Sequence, residues 1–213
     1  MIRLAGGNRA GVTTRVDLFV DPVCPFAWIA FRWLTEEVVP ARDVDLRVRL
    51  MSLAVLNEGR EGHTPEHEKG GDSAWRPVRA GTALRRERGE PGVREFVRAF
   101  GDRYHQERVR PRDAALRAAL DDVGAAGLHR FADDPAHDDE VRAEHAAGQE
   151  PVGDDVGTPV LHVEGVAFFG PVLGAVPRGQ ESLDAFDGAV LLARNPMFYE
   201  LKRTRSGGID LAS

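Results

Sequence analysis

Phe19-Val20-Asp21-Pro22-Val23-Cys24-Pro25-Phe26-Ala27-Trp28 is the stretch from which the architecture follows. Residues that read as a strand run directly into Cys-Pro, and a helical pattern comes after. That order puts a thiol at the mouth of a helix. A helix start presents unpaired backbone N–H groups and a partial positive charge, and both favour thiolate over thiol. The expectation is a Cys24 pKa below the value of about 8.5 for a free thiol. Asp21 and the apolar neighbour Phe26 oppose the effect, so the expected shift is moderate. Pro25 suits the first helical position, where its missing N–H costs nothing. A lone cysteine is also commonly a buried small hydrophobe, but the strand, Cys-Pro, helix context favours a reactive group.

Upstream, residues 15–21 read as a strand, with Val16, Leu18 and Val20 on one face and Phe19 on the other. Apolar residues on both faces suit a central strand. Over 25–39 the spacing predicts a helix, with Trp28, Phe31, Leu34 and Val38 on one side and Pro40 ending the run. Residues 43–50 alternate, with Val44, Leu46, Val48 and Leu50 set against Asp45, Arg47 and Arg49. Strand, helix, strand at these lengths is a βαβ unit with parallel strands.

The pattern then changes. Residues 57–150 contain no convincing strand. Helices are expected over 74–88, 93–107, 112–123 and 135–149, separated by Gly89-Glu90-Pro91-Gly92 and Gly124-Ala125-Ala126-Gly127. Strands return over 159–163 and 166–169, joined by the hairpin signal Glu164-Gly165. A helix is expected over 180–194, followed by a short helical stretch over 197–202 after Asn195-Pro196. The fold class is therefore α/β: βαβ and ββα halves over 15–56 and 151–205, with a helical insertion over 57–150. Residues 1–14 read as a flexible leader and 206–213 as a frayed tail.

The chain has 213 residues, enough for one domain with an insertion, and its single cysteine makes no internal disulfide. A formal net charge of -6, with arginines and acids intermixed, argues against nucleic-acid binding. No run is long and apolar enough to cross a membrane, and the N-terminus lacks the apolar segment of a secretory signal. The expected location is the cytoplasm, where a free thiol stays reduced. The sequence leaves monomer and homodimer open.

Two elements together carry a family resemblance. Asp21-Pro22-Val23-Cys24-Pro25-Phe26 and Val156-Gly157-Thr158-Pro159 resemble the helix mouth and the cis-proline loop of the DsbA-like branch of the thioredoxin superfamily. That branch inserts a helical domain between βαβ and ββα halves. The resemblance implies that Pro159 is cis and lies beside Cys24. The chain is more specifically similar to the actinobacterial mycothiol-dependent nitroreductases. The similarity runs through Met51-Ser52-Leu53-Ala54-Val55-Leu56-Asn57-Glu58, Gly153-Asp154-Asp155-Val156-Gly157-Thr158-Pro159, Gly165-Val166-Ala167-Phe168-Phe169-Gly170-Pro171 and Glu200-Leu201-Lys202-Arg203-Thr204-Arg205. That group carries Cys-Pro-Trp-Cys where this chain has Cys24-Pro25-Phe26-Ala27. Dithiol oxidase chemistry and nitroreduction are both put in doubt by the change. A mixed disulfide at Cys24 must be resolved from outside, by mycothiol or glutathione as co-substrate; no tightly bound cofactor is expected. Pro25-Phe26-Ala27-Trp28-Ile29-Ala30-Phe31 also resembles kappa-class glutathione transferases and hydroxychromene carboxylate isomerases, which bind a thiol cofactor at this helix mouth and usually have serine in place of Cys24.

The expected site is Cys24 as the catalytic group, with Pro25, Phe26, Ala27, Asn57, His105, Thr158 and Pro159 binding thiol or substrate. Phe26 offers an apolar wall. Thr158, before the proline, offers backbone groups to an extended ligand. Asn57 either faces the site or forms a turn. His105 is a proton donor, a thiol-positioning group or a surface histidine. Trp28, Trp33 and Trp75 read as packing residues. His63 and His67 have i, i+4 spacing, but no third ligand accompanies them, and a solvated loop is expected rather than a metal site. The partners are then a small thiol and an electrophilic or disulfide substrate. A redox-inactive peptide-binding module remains the alternative that Ala27 keeps open.

Overall fold

The computed structural model describes residues 13–60, 70, 72–205 and 207–212. His63 and His67, with the acids around them, and most of the N-terminal leader lie outside the described residues.

Strands β1 (Thr14–Val20), β2 (Val44–Leu50), β3 (Val160–Val163) and β4 (Val166–Phe169) form one sheet in the order β2-β1-β3-β4. β1 pairs parallel with β2 and antiparallel with β3, and β3 pairs antiparallel with β4. The central place of β1 follows from its two apolar faces. The β3–β4 hairpin turns on Glu164 and Gly165 at φ 51° and 85°, the positive angles that a two-residue hairpin of this hand requires.

Val16, Leu18, Val20, Val48, Leu50, Leu161 and Val163 turn one face of the sheet toward α1 (Pro25–Arg32) and α6 (Gly179–Ala193). Burying each large aliphatic side chain here contributes about 1.5–3 kcal/mol. Phe19, Met51 and Val160 form a smaller cluster on the opposite face. There α5 (Asp138–Gln149) approaches closely: a Cβ on Gly148 would fall 2.6 Å from the Phe19 ring. Arg49 of β2 and Arg85 both donate to Glu144 of α5, at 2.7 Å each at the closest, so this face of the edge strand is covered as well.

The helical insertion has its own core, built from Leu84, Phe96, Phe100, Leu116, Leu120 and Leu128. Its longest element is α3 (Trp75–Gly101), joined by α4 (Arg112–Asp122). The glycine-proline break at 89–92 is a kink rather than a loop: Gly89 sits at φ 68° inside an otherwise continuous helix. A short α2 (Leu53–Asn57) follows β2, capped by Ser52, whose hydroxyl accepts from Val55 N at 3.3 Å.

Several expectations need correction. The helix expected over 25–39 is α-helical only to Arg32 and continues as a wider π-turn over Trp33–Val38. Thr35 Oγ1 donates to Phe31 O at 2.7 Å, which gives that carbonyl a partner outside the usual ladder. Another π-turn, Asp102–Gln106, ends the α3 run. The glycine-rich 124–127 break leads into a 3-10 segment, Ala126–Asp133, that the sequence pattern did not mark. Residues 197–202 are not helical. Asn195 Oδ1 accepts from Met197 N at 3.1 Å, and the chain then runs on with Met197, Tyr199 and Leu201 exposed. A helix that short has no packed face to stabilise it. Within 207–212, which is otherwise exposed, Leu211 lies against the sheet–α1 core, and its carbonyl accepts from Arg32 Nη1 at 3.1 Å.

Candidate functional site

The site forms where β1 ends. Asp21 O accepts from Cys24 N at 3.0 Å, making a tight turn, and Cys24 O accepts from Trp28 N at 3.0 Å, opening α1. Cys24 is the N-cap, with extended backbone angles, and Pro25 occupies the first helical position. The Thr158–Pro159 peptide bond, at the start of β3, is cis. Cys24 Sγ donates to Thr158 O at 3.4 Å. The Thr158 hydroxyl bridges back to β1, accepting from Asp21 N and donating to Phe19 O, each at 3.3 Å. The thiol turn and the proline loop are thereby locked together.

Asp21 is fully buried, and its carboxylate joins two elements. Oδ1 accepts from Val23 N at 2.8 Å, and Oδ2 accepts from Leu53 N at 2.6 Å. Burial pushes its pKa up to about 6, although the two backbone donors pull it down.

Cys24 is 6% exposed. Burial pushes its thiol up to about 11. The backbone N–H groups of Ala27 and Phe26 and the charge of Arg205 favour the thiolate, whereas Asp21 opposes it. This corrects the expectation of a lowered value: the helix mouth acts in the expected direction, but removing the sulfur from water outweighs it. At rest the group is a thiol donating to a carbonyl.

Ala27 is fully buried in the first turn of α1. Phe26 is half-buried, and the Arg205 guanidinium lies over its ring, 4.6 Å from the centroid. His105 is buried, not a surface group. Its Nε2 donates to Pro22 O at 2.9 Å, its ring stacks on Trp28, and burial lowers its pKa to about 4. It therefore holds the thiol turn from the side of the insertion as a neutral ring. Asn57 ends α2, four residues beyond the Leu53 N–H that meets Asp21 and so about 6 Å further along the helix axis. It is half-buried, and its backbone carbonyl accepts from Arg60 N at 3.1 Å.

Two contributions were not legible in the sequence pattern. One is the Asp21–Leu53 link, which joins the thiol turn to α2. The other is Arg205, which lies in a stretch without periodicity and reaches Phe26 only through the path of the chain after α6. Among the described residues, no group of three His, Cys, Asp or Glu side chains is placed to hold a metal ion, and no helix is long and apolar enough to cross a membrane.

Comparison with known proteins agrees with this layout. Residues 23–203 match the model of the Rv2466c-like family, described as mycothiol-dependent nitroreductase Rv2466c. The uncharacterized protein Rv2286c of Mycobacterium tuberculosis is 34% identical over 200 residues, covering 91% of this chain and 83% of that protein. Two solved structures share the fold. One, assigned as a protein-disulfide isomerase of Pseudomonas syringae, has a TM-score of 0.51 at 17% identity and covers 83% of this chain and 93% of its own. The other, assigned as a DsbA oxidoreductase of Streptomyces coelicolor, has a TM-score of 0.50 at 19% identity, over 91% and 94%. The chain belongs to the Rv2466c-like family of mycothiol-dependent nitroreductases, an oxidoreductase family, and has a DsbA-like thioredoxin fold with an inserted helical region.

Proposed function

We propose that this protein is a low-molecular-weight-thiol-dependent oxidoreductase that works through Cys24 alone, with mycothiol as co-substrate. The observation that carries the reading is the placement of the only cysteine at the helix mouth, facing Thr158 O, with Ala27 where a resolving cysteine would stand. Family membership supports the choice of thiol.

The chemistry balances without a second cysteine. Cys24 Sγ, after losing its proton, attacks one sulfur of a mixed disulfide R–S–S–R′, in which R is the small thiol. A Cys24–S–S–R bond forms and R′–S⁻ leaves, taking up a proton. A second RSH, as its thiolate, attacks the R sulfur, giving R–S–S–R and restoring Cys24. The net reaction is R–S–S–R′ + RSH → R–S–S–R + R′SH. The helix-mouth N–H groups of Phe26 and Ala27 stabilise the sulfur anion in both steps. Thr158 O and the Pro159 edge line the path of the incoming disulfide. Phe26 supplies an apolar wall, His105 holds the thiol turn through Pro22 O, and Asn57 meets the small thiol or substrate from the end of α2. The proposal sets the protein in the cytoplasm, where reduced small thiols are abundant.

A second reading is favoured by one observation, the resting S–H of Cys24. There Cys24 donates its hydrogen bond to the sulfur of a bound thiol cofactor, as in a transferase or isomerase. Incubation with oxidised mycothiol, oxidised glutathione and a panel of electrophiles, read by intact mass, separates the two. One thiol added per chain, removable by excess thiol and absent in Cys24→Ser, supports the first. Conjugates of the free thiol with an electrophile, retained in Cys24→Ser, support the second. No uptake and no conjugate by an intact, reduced Cys24 overturns both and leaves a peptide-binding module.

A further inference from the structure

We propose that Arg205 is a positioning residue for the Cys24 sulfur anion, holding a positive charge at the helix mouth from the face of the Phe26 ring. The inference rests on the single-cysteine reading above.

The geometry has two parts. Phe26 is the second residue of α1, two positions after Cys24, and the Arg205 guanidinium carbon lies 4.6 Å from its ring centroid. A planar guanidinium suits an aromatic face and keeps its charge at every relevant pH, so the stack fixes where that charge sits. The chain beyond it is anchored on both sides. Asp210 N donates to Gly174 O at 2.7 Å, and Leu211 O accepts from Arg32 Nη1 at 3.1 Å on α1. Ile209, Leu211 and Ala212 also face His105 and Arg108 across a cleft of about 280 Å³. The chain is therefore tied down five and six residues beyond Arg205, so the cation is not carried on a free end.

Other charges around the sulfur are accounted for. Asp21, from the turn before α1, opposes the anion, and the Phe26 and Ala27 N–H groups favour it. His105, from the insertion, is neutral and engaged with Pro22 O. Arg110 acts on His105, and Arg112 acts on both His105 and Asp21. Arg205 acts on the sulfur itself, in the favourable direction. It is exposed to solvent, so its effect is sensitive to salt.

The test is the pH profile of Cys24 alkylation by iodoacetamide in wild type, Arg205→Gln and Arg205→Lys, at low and high salt. Thermal unfolding serves as a check on folding. Arg205→Gln is expected to move the inflection to higher pH and to slow alkylation at neutral pH about three- to tenfold. Arg205→Lys, which keeps the charge, is expected to return most of the rate. Added salt should slow the wild type and leave Arg205→Gln unchanged. An inflection that does not move in a folded Arg205→Gln overturns the inference, as does an equal salt response in both proteins. Because alkylation reads the sulfur without any small thiol, failure of the wild type to form a mixed disulfide would overturn the single-cysteine function and leave the Arg205 result legible.

Discussion

The Trp28 indole occupies the space in which residue 101 would carry a side chain: a Cβ on Gly101 would fall 2.2 Å from the Trp28 ring. Trp28 is on α1, four residues after the thiol, and Gly101 ends α3 of the insertion. Arg98, one turn before Gly101, lies over Trp28 and Phe31 and donates to Glu36 at 2.7 Å. The helix that carries Cys24 is thus seated directly on the insertion. Gly101→Ala should force the indole out of place and cost at least about 1–3 kcal/mol. Chemical denaturation would read the loss. A variant as stable as the wild type would mean that α1 and α3 can separate without penalty.

Cys24 should titrate late. With its pKa raised to about 11 by burial, roughly one sulfur in ten thousand is ionised at pH 7. Alkylation of the native protein should be slow at neutral pH and climb steeply above pH 9, whereas the unfolded chain should react near the value of about 8.5 for a free thiol. A native inflection below that value would show the helix mouth outweighing desolvation after all.

Asp21→Asn removes the buried negative charge that opposes the Cys24 anion. The thiol pKa should fall and neutral-pH alkylation should quicken. Asn can accept from only one of Val23 N and Leu53 N through its single oxygen, so stability should drop by about 1–3 kcal/mol. Faster alkylation in a less stable protein is the expected pair of results, provided that the rate is measured where the variant is fully folded. Unchanged alkylation would sever the electrostatic link.

Ala27→Cys restores a second sulfur one turn into the helix that Cys24 caps. Under a mild oxidant the variant should close an intramolecular disulfide, while the wild type stops at one added thiol per chain. Mass with and without alkylation distinguishes them. Ala27 is fully buried, so the closed form should also differ in stability from the open one. If the ring fails to form although wild-type Cys24 is modified readily, residue 27 does not face the thiol.

His105 makes the fold sensitive to acid. Its pKa is lowered by burial from an ordinary 6.5 to about 4, so the unfolded chain takes up the proton first. The stability it contributes is complete above pH 6.5 and is lost as pH falls through 4. His145 and His162 are lowered too, also mainly by burial, and act in the same direction. Asp21, raised to about 6, has the opposite sign: its contribution is complete below 3.8 and lost as pH rises through 6. His105→Gln keeps a donor for Pro22 O and does not titrate. Its stability should depend less steeply on pH between 6.5 and 4, as measured by denaturant midpoints. An identical slope would mean that the ring is not buried in solution.

The order of strands and long helices was written in local periodicity. Val16, Leu18 and Val20 against Phe19 gave β1 two apolar faces and hence its central place, and Glu164-Gly165 gave the hairpin. Period-two and helical patterns record which side of an element leaves water, and that information is local. The four-residue motif at Cys24 and the loop at Thr158-Pro159 could likewise be matched from sequence, because each is short and contiguous.

What the sequence left open involves groups far apart along the chain. Desolvation of Cys24 depends on everything packed around it, so the thiol rises where the helix mouth alone would lower it. The burial of His105 against Pro22 and Trp28 required the insertion to dock on α1, and no pattern within 93–107 records that. Arg205 meets Phe26 across nearly the whole chain, from a segment whose exposed residues carry no periodic signal. Residues 197–202 have helical composition but no surface to bury, and tertiary packing denied them a helix. Cys24 itself determined the site's position, since a single thiol at a strand-to-helix turn has one place to be. Its protonation state was decided only by the tertiary structure, because solvation and charge act through space and not along the chain.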